Sequence, residues 1–517
     1  MIKKLLGLAL AMLAICGLLA AGATSAKKDA FDESAKLRDA VSKDGVMKHL
    51  RKLQEIADEN GDTRASGTPG YDESADYVAK KMEKAGYDVV RQPFQFEAFT
   101  EETEATFAQT APEDVEYVYG EDFITADFSG SGDVTAPLEA VDLVLPPGEE
   151  ASSSNSGCEA DDFATFTAGN IALIQRGTCD FSVKADNADA AGAAGVVLFN
   201  EGQEGRTDLL GATLGEPRRD IPVIGATFAL GDELANDVVD GPTGITVHLV
   251  TDTSSEIVST ENVIATSKKG DPDNVVMSGA HLDSVDDGPG INDNGSGSAG
   301  ILETAIQFSK LNIKPENQLR FAWWGAEESG LVGSTEYVEL LTEEEGSKIA
   351  LYLNFDMIGS PNFARFIYDG NGSAFGQSGP PGSDTIERTF QRYFEEADLK
   401  SGQTAFDGRS DYKPFIDVGI PAGGLFTGAE DIKSENEQLA YGGTAGEQFD
   451  PCYHAACDDI SNVSKRALDQ MSDAVAHSVH KFAFNLKFVR EDDEAERRAR
   501  AGTQRSTRDR AGDAYVR

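Results

Sequence analysis

Side chains of types that can bind metal ions follow three apolar runs in the second half of the sequence. The first run ends in His281, the second is followed by Glu327 and Glu328, and the third by Asp356. Apolar runs that alternate with helical patterns favour a largely parallel α/β sheet. Because the carboxyl ends of parallel strands border one crevice, we expect these side chains to meet at a single edge of the sheet.

Two further donors lie in constrained turns. Asp293 is part of the glycine-rich segment 288–298, which precedes a helical pattern, and His454 lies between Cys452 and Cys457. Imidazoles and carboxylates suit zinc or a similar divalent ion, and two ions that share Asp293 would use the whole set. A glycine-rich turn before a helix also suits phosphate, but here an acidic residue occupies the turn and the lysine of a nucleotide-binding loop is missing.

A single acidic residue in a loop is usually solvated, so the metal-site interpretation depends on the donors occurring together. The chain has six histidines, and two of them fall in this set. His477 and His480 have the spacing of one helix face within 464–485, where histidines more often pack or face solvent. We assign no role to these two, or to His49 and His248.

Helices and strands must position these donors. Apolar residues recur at helical spacing over 44–60, a second helical stretch covers 71–85, and 89–96 has the composition of a strand. Between 110 and 255 the sequence changes to short β-type runs and Ser/Gly-rich turns, with one helical stretch over 183–191. This change in the sequence pattern predicts an inserted β-rich domain.

The ends of the chain differ from its middle. Residues 1–26 combine two lysines, an apolar run and a small-residue cleavage pattern, which predicts a secretory signal peptide. A membrane anchor is one alternative, and lipidation at Cys16 is another that the bulky Ile15 disfavours. The expected divisions are therefore a signal peptide at 1–26, a catalytic domain at 33–109 and 256–487, an inserted domain at 110–255, and a charged flexible tail at 488–517.

Removal of the signal peptide leaves four cysteines, an even number in a chain bound for an oxidising compartment. Four cysteines allow three pairings. Proximity in sequence makes two local disulfides, Cys158 with Cys179 and Cys452 with Cys457, the simplest hypothesis.

The net charge of −44, from 89 acidic and 45 basic residues, argues against binding to nucleic acid, whose phosphates require the opposite sign. An acidic surface favours solubility, and a salt-rich habitat is one reason for it.

The sequence resembles the secreted bacterial leucyl-type aminopeptidases of metallopeptidase family twenty-eight, which contain two co-catalytic zincs. The motifs that carry the resemblance are 64–70, 280–284, 290–297, 324–328, 354–360, 423–428 and 453–454. Within the predicted insertion, 169–200 resembles the protease-associated domain, which carries no catalysis. One departure is Tyr412, because many relatives have His at the position that follows Asp411 in the loop 408–411, which contains Arg409.

The resemblance implies a zinc-exopeptidase fold with an α/β, mostly parallel central sheet, and it implies a division of the donors. One zinc would be held by His281 and Asp356 and the other by Glu328 and His454, with Asp293 bridging. Asp283 would orient His281, as metal-bound imidazoles require.

Catalytic roles follow from the same resemblance. Glu327 would be the general base for a metal-bound hydroxide, and the hydroxyl group of Tyr453 would stabilise the oxyanion. The loop of Arg409 would help to select a free amine, and Met357 and Phe426 would line an apolar pocket for the first side chain.

The expected activity is a secreted, zinc-dependent aminopeptidase that acts on peptides and proteins with a free N-terminus and prefers large apolar first residues. We expect no nucleic-acid partner and no stable membrane association after signal removal. The alternatives are a carboxypeptidase or dipeptidase on the same fold, a glutaminyl cyclase, which typically has one zinc, and a receptor-like scaffold without activity.

Overall fold

The computed structural model describes residues 33–149, 152–203, 205–487 and 489. The signal peptide expected at 1–26, and the tail expected at 488–517 apart from Val489, lie outside the described residues. Over the described part of the chain, no helix combines the length and apolarity needed to cross a bilayer.

Helices and strands alternate along most of the chain. The α-helices are α1 (33–40), α2 (Lys43–Glu59), α3 (Pro69–Ala85), α4 (Phe181–Ala190), α5 (Phe228–Ala235), α6 (Gly295–Lys310), α7 (Val332–Glu339), α8 (Glu343–Lys348), α9 (Ser383–Glu396), α10 (Lys413–Asp417), α11 (Glu435–Tyr441) and α12 (Lys465–Phe484). The strands are β1 (Asp88–Ala111), β2 (Val115–Glu116), β3 (Phe123–Thr125), β4 (Gly132–Ala140), β5 (Ile171–Gln175), β6 (Gly195–Phe199), β7 (Val223–Ala226), β8 (Gly241–Thr266), β9 (Asp271–His281), β10 (Asn317–Trp324), β11 (Ile349–Phe355), β12 (Phe366–Tyr368), β13 (Gly402–Thr404) and β14 (Ala422–Phe426).

The chain forms two compact units. One is Gln95–Val258, and the other consists of the described residues before and after it. The sequence predicts an insertion at 110–255, and the compact unit begins at Gln95, which lies within strand β1. The limits of the domains therefore stay a prediction.

The unit formed by the two ends of the chain has a mixed central sheet. Its strand order is β13-β12-β14-β11-β9-β10-β8, and the neighbours β14, β11, β9 and β10 are parallel. The pairing of β8 with β10 is antiparallel, as is that of β12 with β14. The predicted α/β architecture with a mostly parallel sheet is confirmed.

Helices α2, α3, α6 and α12 share one hydrophobic core with these strands. In α2 the buried residues Val46, Leu50, Leu53 and Ile56 repeat at helical spacing, and the side chain of Ser42 caps the first turn. The predicted helix over 44–60 is therefore confirmed, and its apolar face is the one that packs.

Within the unit Gln95–Val258 the strand order is β8-β4-β5-β6-β7-β3. The pairings among β4, β5, β6 and β7 are parallel, and those at both sides, with β8 and β3, are antiparallel. Strands β5 and β6 are buried along their whole lengths. The predicted disulfide between Cys158 and Cys179 is present, with 5.8 Å between the Cα atoms.

A close approach between α6 and the end of β11 requires glycine at position 297. A Cβ atom on Gly297 would lie 2.1 Å from the carbonyl oxygen of Phe355 and 2.4 Å from Oδ1 of Asn294. The side chain of Asn294 caps α6 and also donates to that same carbonyl. The glycine therefore fixes the distance between the helix and the strand that leads into Asp356.

Replacement of Gly297 by Ala should lower the free energy of unfolding by about 1–3 kcal/mol, because a rigid backbone carbonyl leaves no room for the methyl group. The measurement is the urea midpoint of the variant and of the wild type. Gly346→Ala is the matched control, since nothing lies within 4 Å of a Cβ atom there. An unchanged midpoint for Gly297→Ala would contradict the argument.

Candidate metal centre

Strand register brings the predicted donors to one edge of the sheet. His281 is the last residue of β9 and pairs with Trp324, the last residue of β10, which Glu327 follows three positions later. Asp356 directly follows β11, which runs parallel to β9. The expectation that three parallel strands deliver the donors to a common edge is confirmed.

Asp293 lies between the two imidazoles. Its Oδ1 is 3.2 Å from Nε2 of His281, and its Oδ2 is 3.4 Å from Nε2 of His454. The same His281 nitrogen lies 3.4 Å from Asp356 Oδ1, and the His454 nitrogen lies 3.0 Å from Glu328 Oε2. Each oxygen of Asp293 thus faces a different imidazole, each of which has a second carboxylate partner.

His454 comes from a short loop that a disulfide closes. Cys452 and Cys457 are bonded, as predicted, with 5.2 Å between their Cα atoms. The amide of Cys452 donates to Asp450 Oδ1, and the ring of Tyr453 stacks on that of His454 at 3.9 Å between centroids. The covalent closure and the stacking together restrict the imidazole.

Two observations indicate that this cluster is suited to binding divalent cations. His281, Asp293, Glu327 and Asp356 are all less than a tenth exposed, so carboxylates that water does not solvate are gathered in one place. In addition, Glu328 Oε1 and Asp356 Oδ1 are buried and have no hydrogen-bond partner among the described residues. Two sets of donor atoms lie within coordinating reach of one another, His281 with Glu327 and Asp356, and His281 with Asp293 and Glu328.

The charges of the cluster shift its pKa values strongly. Burial alone would lower the pKa of His454, but Glu328 and Asp293 raise it to about 11. Burial alone would raise the pKa of Asp293, but the two imidazoles lower it below its usual range. Burial raises the pKa of Glu327, and Glu328 is among the carboxylates that raise it further. These shifts arise because buried carboxylates lie close together, an arrangement that positive charge stabilises.

Asp283 supports both His281 and the loop that follows β10. Nδ1 of His281 is 3.2 Å from the backbone carbonyl oxygen of Asp283 and 3.6 Å from its carboxylate. That carboxylate instead accepts hydrogen bonds from the amides of Glu327 and Glu328, both at 3.3 Å. With Nδ1 directed at the backbone carbonyl, the Nε2 atom of His281 faces the carboxylates.

Ser410 was not assigned a role from the sequence. Its hydroxyl group donates to Asp356 Oδ2 at 2.5 Å and accepts a hydrogen bond from Asn354 Nδ2. Asp411 lies beside it, and burial raises the pKa of this carboxyl group to about 8. No local pattern reveals this contact, because Ser410 and Asp356 are far apart in the sequence.

Arg409 contacts the tyrosine of the disulfide loop. Its guanidinium group donates to Glu430 Oε1 at 2.7 Å and to the hydroxyl oxygen of Tyr453 at 3.2 Å. Burial raises the pKa of Tyr453, and Asp293 and Glu328 raise it further, so the phenol is protonated at neutral pH. Tyr453 is therefore oriented by a cation and retains its proton for donation.

The donors open into a cleft with a mixed lining. Met357 and Phe426, both predicted to line a pocket, do so here. The remaining lining residues outside the donor cluster are Tyr368, Thr404, Ala405, Asp407, Arg409, Ser410, Ala429, Glu430, Asp431 and Tyr453. Aromatic and aliphatic groups thus lie beside a rim of carboxylates.

The four histidines without an assigned role have contacts elsewhere. His49 bonds Tyr77 and Glu303, and His248 bonds Asp133. His477 bonds Ser34, and the ring of His480 packs on Phe484.

Tyr412, the departure from the family pattern, is fully buried beneath the loop of Arg409. Its hydroxyl group accepts a hydrogen bond from the amide of Gly408 at 2.7 Å and donates to Asp407 Oδ1 at 2.8 Å. The ring packs against Tyr368 and Phe406. This residue holds the loop that presents Arg409 to the cleft.

Replacement of Tyr412 by Phe should lower kcat/KM while the chain stays folded, because two hydrogen bonds that fix the loop are lost. The expected loss is about 1–3 kcal/mol of transition-state stabilisation, which corresponds to about 5- to 150-fold. Steady-state kinetics on an amino-acid anilide measure it. Tyr87→Phe is the control, since that buried hydroxyl group bonds Ala305 away from the cleft. Equal kinetics for both variants would contradict the role of Tyr412.

Comparisons with known proteins agree with this geometry. Residues 262–479 match the model of Peptidase family M28, and 134–234 match that of the PA domain. An aminopeptidase of Pseudomonas aeruginosa is 51% identical over 451 residues, which cover 87% of this chain and 82% of that protein. Leucine aminopeptidase 2 of Trichophyton tonsurans is 40% identical, over 89% of this chain and 87% of that protein. The solved structure of BSAP, a zinc aminopeptidase from Bacillus subtilis, has a TM-score of 0.55 and 26% identity, and covers 85% of this chain and 94% of that one.

The mostly parallel sheet, the donor cluster at its edge and these relatives together define the class of protein, a metalloexopeptidase of the aminopeptidase type. The chain belongs to peptidase family M28, and a PA domain is inserted in it.

Proposed function

We propose that this chain is a secreted, zinc-dependent aminopeptidase with two zincs, which hydrolyses the first peptide bond of substrates with a free N-terminus and an apolar first residue. The observation that carries the two-zinc proposal is the position of Asp293, whose two oxygens face two imidazoles. A carboxylate so placed suits two neighbouring cations.

The donors divide into two sets around that carboxylate. His281 and Asp356 would hold one zinc, Glu328 and His454 would hold the other, and Asp293 would bridge them. Two imidazoles and three carboxylates are suited to zinc. When bound, zinc lowers the pKa of a coordinated water and polarises the carbonyl group of the substrate.

Glu327 moves the proton in this mechanism. Its carboxylate reaches toward the donors, with Oε2 3.9 Å from His281 Nε2, and its own amide is fixed by Asp283. The carboxylate accepts a proton from the attacking water and donates it to the leaving amine, which is the division expected of a general base that becomes a general acid.

Tyr453 acts on the carbonyl oxygen. Its protonated hydroxyl group donates to this oxygen as negative charge develops there, and Arg409 holds the phenol in place through its hydrogen bond. Stabilisation of this kind is effective because the donor is oriented before the reaction begins.

The charge of the cleft accounts for exopeptidase selection. A free α-amine is positively charged and is attracted to the buried carboxylates of Glu327 and Asp356, whereas an acylated N-terminus is neutral. Met357 and Phe426 supply apolar surface for the first side chain, which supports a preference for residues such as leucine.

The test of this function is hydrolysis of leucine p-nitroanilide beside N-acetyl-leucine p-nitroanilide, with alanine, lysine and glutamate anilides as a specificity series. We expect release of p-nitroaniline from the free-amine substrates, fastest for leucine. Cleavage of the acetylated compound at a similar rate would reject the aminopeptidase. Inertness toward all of them, combined with cyclisation of an N-terminal Gln peptide, would favour the glutaminyl cyclase.

Secretion is supported by the two disulfides, because such bonds persist in oxidising compartments and are rare in the cytosol. The signal peptide that would direct it is a prediction from the sequence. Mass spectrometry of the mature N-terminus from culture medium would check this, and a protein retained in cells with residues 1–26 intact would contradict it.

A further inference from the structure

Arg64, in the sequence segment that opens the family resemblance, is a fully buried arginine. Its side chain donates to three backbone carbonyl oxygens, namely those of Pro289 at 2.8 Å, Gly290 at 2.5 Å and Leu282. The proposed mechanism gives this residue no role.

The three carbonyl groups belong to the connection between two of the donors. Leu282 directly follows His281, and Gly290 precedes Asp293 by three residues. The carbonyl oxygen of Gly290 also accepts a hydrogen bond from the amide of Gly295, the first residue of α6. The guanidinium group therefore ties the end of β9 to the start of α6.

The backbone of the same residue adds a further link, because the amide of Arg64 donates to Ser284 Oγ at 2.9 Å. On the other side of the turn, the carboxylate of Asp458 accepts hydrogen bonds from the amides of Asn292 and Asp293. The turn is thus held from both sides, by a cation and by a carboxylate.

Burial of an arginine is strongly unfavourable unless its surroundings compensate for it. Burial lowers the pKa of Arg64, and Asp283, Asp458, Asp293 and Glu328 oppose this effect; the resulting pKa is about 10, so the group is charged at neutral pH. The compensation comes from carbonyl dipoles in contact and from carboxylates at longer range.

We propose that Arg64 is a positioning residue of the zinc centre. Its planar guanidinium group sets the spacing between His281 and Asp293 and thereby the affinity for zinc. The inference rests on the proposed function. A lysine cannot replace this guanidinium group, because one ammonium group does not match three carbonyl oxygens held in fixed directions.

The test compares Arg64→Lys and Arg64→Gln with Arg365→Lys in the full chain. Arg365 is a matched control, because it is also buried and bonds a backbone carbonyl, that of Lys400, and Gln470. Zinc affinity is measured on chelator-stripped protein by competition with a chromophoric chelator, and circular dichroism follows the thermal midpoint of each stripped variant.

We expect both Arg64 variants to bind zinc about 10- to 100-fold more weakly, as is usual when the support of a ligand is lost, with the stripped protein folded. Arg365→Lys should bind zinc like the wild type. At saturating zinc, Arg64→Lys should regain the wild-type KM and retain a lower kcat.

Unchanged zinc affinity in Arg64→Lys would overturn the proposal. Loss of the stripped fold in both Arg64 variants would also overturn it, because the residue would then serve folding rather than the centre. If the wild type binds zinc more tightly than the Arg64 variants but cleaves no anilide, the proposed activity fails and the positioning role stands.

Discussion

Replacement of Glu327 by Gln should lower kcat by about two to four orders of magnitude, the usual contribution of a positioned acid or base, while the chain keeps its fold and its zinc. The amide is nearly isosteric with the carboxylate but cannot accept a proton from the attacking water. In the proposed division Glu327 is not a zinc ligand, so the metal content should be unchanged.

The matched control is Glu303→Gln. The side chains of Glu303 and Glu327 are equally buried, at 8% exposure, and both lie near a histidine. The partner of Glu303 is His49, which is not one of the donors, whereas Glu327 lies beside His281. Steady-state kinetics and metal analysis of both variants give the result. Near-normal turnover by Glu327→Gln, or loss of zinc from it, would refute the assignment of the base.

Replacement of His454 by Ala should reduce the zinc content from two ions to one per chain. In the proposed division this imidazole is the nitrogen ligand that the Cys452–Cys457 loop supplies, and without it only the carboxylates of Glu328 and Asp293 remain. Activity should fall by at least about 10- to 100-fold, because loss of a residue that only supports a metal ligand already has an effect of that size.

His248→Ala is the control for this variant. The two histidines are similarly exposed, at 38% and 42% of their side chains, and each pairs with a carboxylate, but His248 lies in the other unit of the chain. Metal analysis after dialysis measures the zinc content. Two ions retained by His454→Ala would contradict the division of ligands.

Much of the centre was predictable because it follows from strand geometry. The apolar runs that became β9, β10 and β11 are parallel, so His281 and Asp356, at their ends, had to meet. The short separation of Cys452 and Cys457 likewise made their bond the simplest pairing, and the bond is present. Local patterns were sufficient wherever a donor was attached to a regular element.

The supporting contacts were not predictable, because they join loops that are distant in sequence. Ser410 bonds Asp356, Asp458 holds the turn of Asp293, and Arg64 spans Leu282 and Gly290. None of these pairs has a periodic signature.

The most direct test is a zinc titration of chelator-stripped enzyme, with hydrolysis of leucine p-nitroanilide and of its N-acetylated form followed at each addition. We predict that the stripped chain is inactive, that activity toward the free amine rises until two zincs are bound per chain, and that the acetylated compound stays intact. Activity in the stripped chain, or cleavage of both compounds alike, would contradict the account.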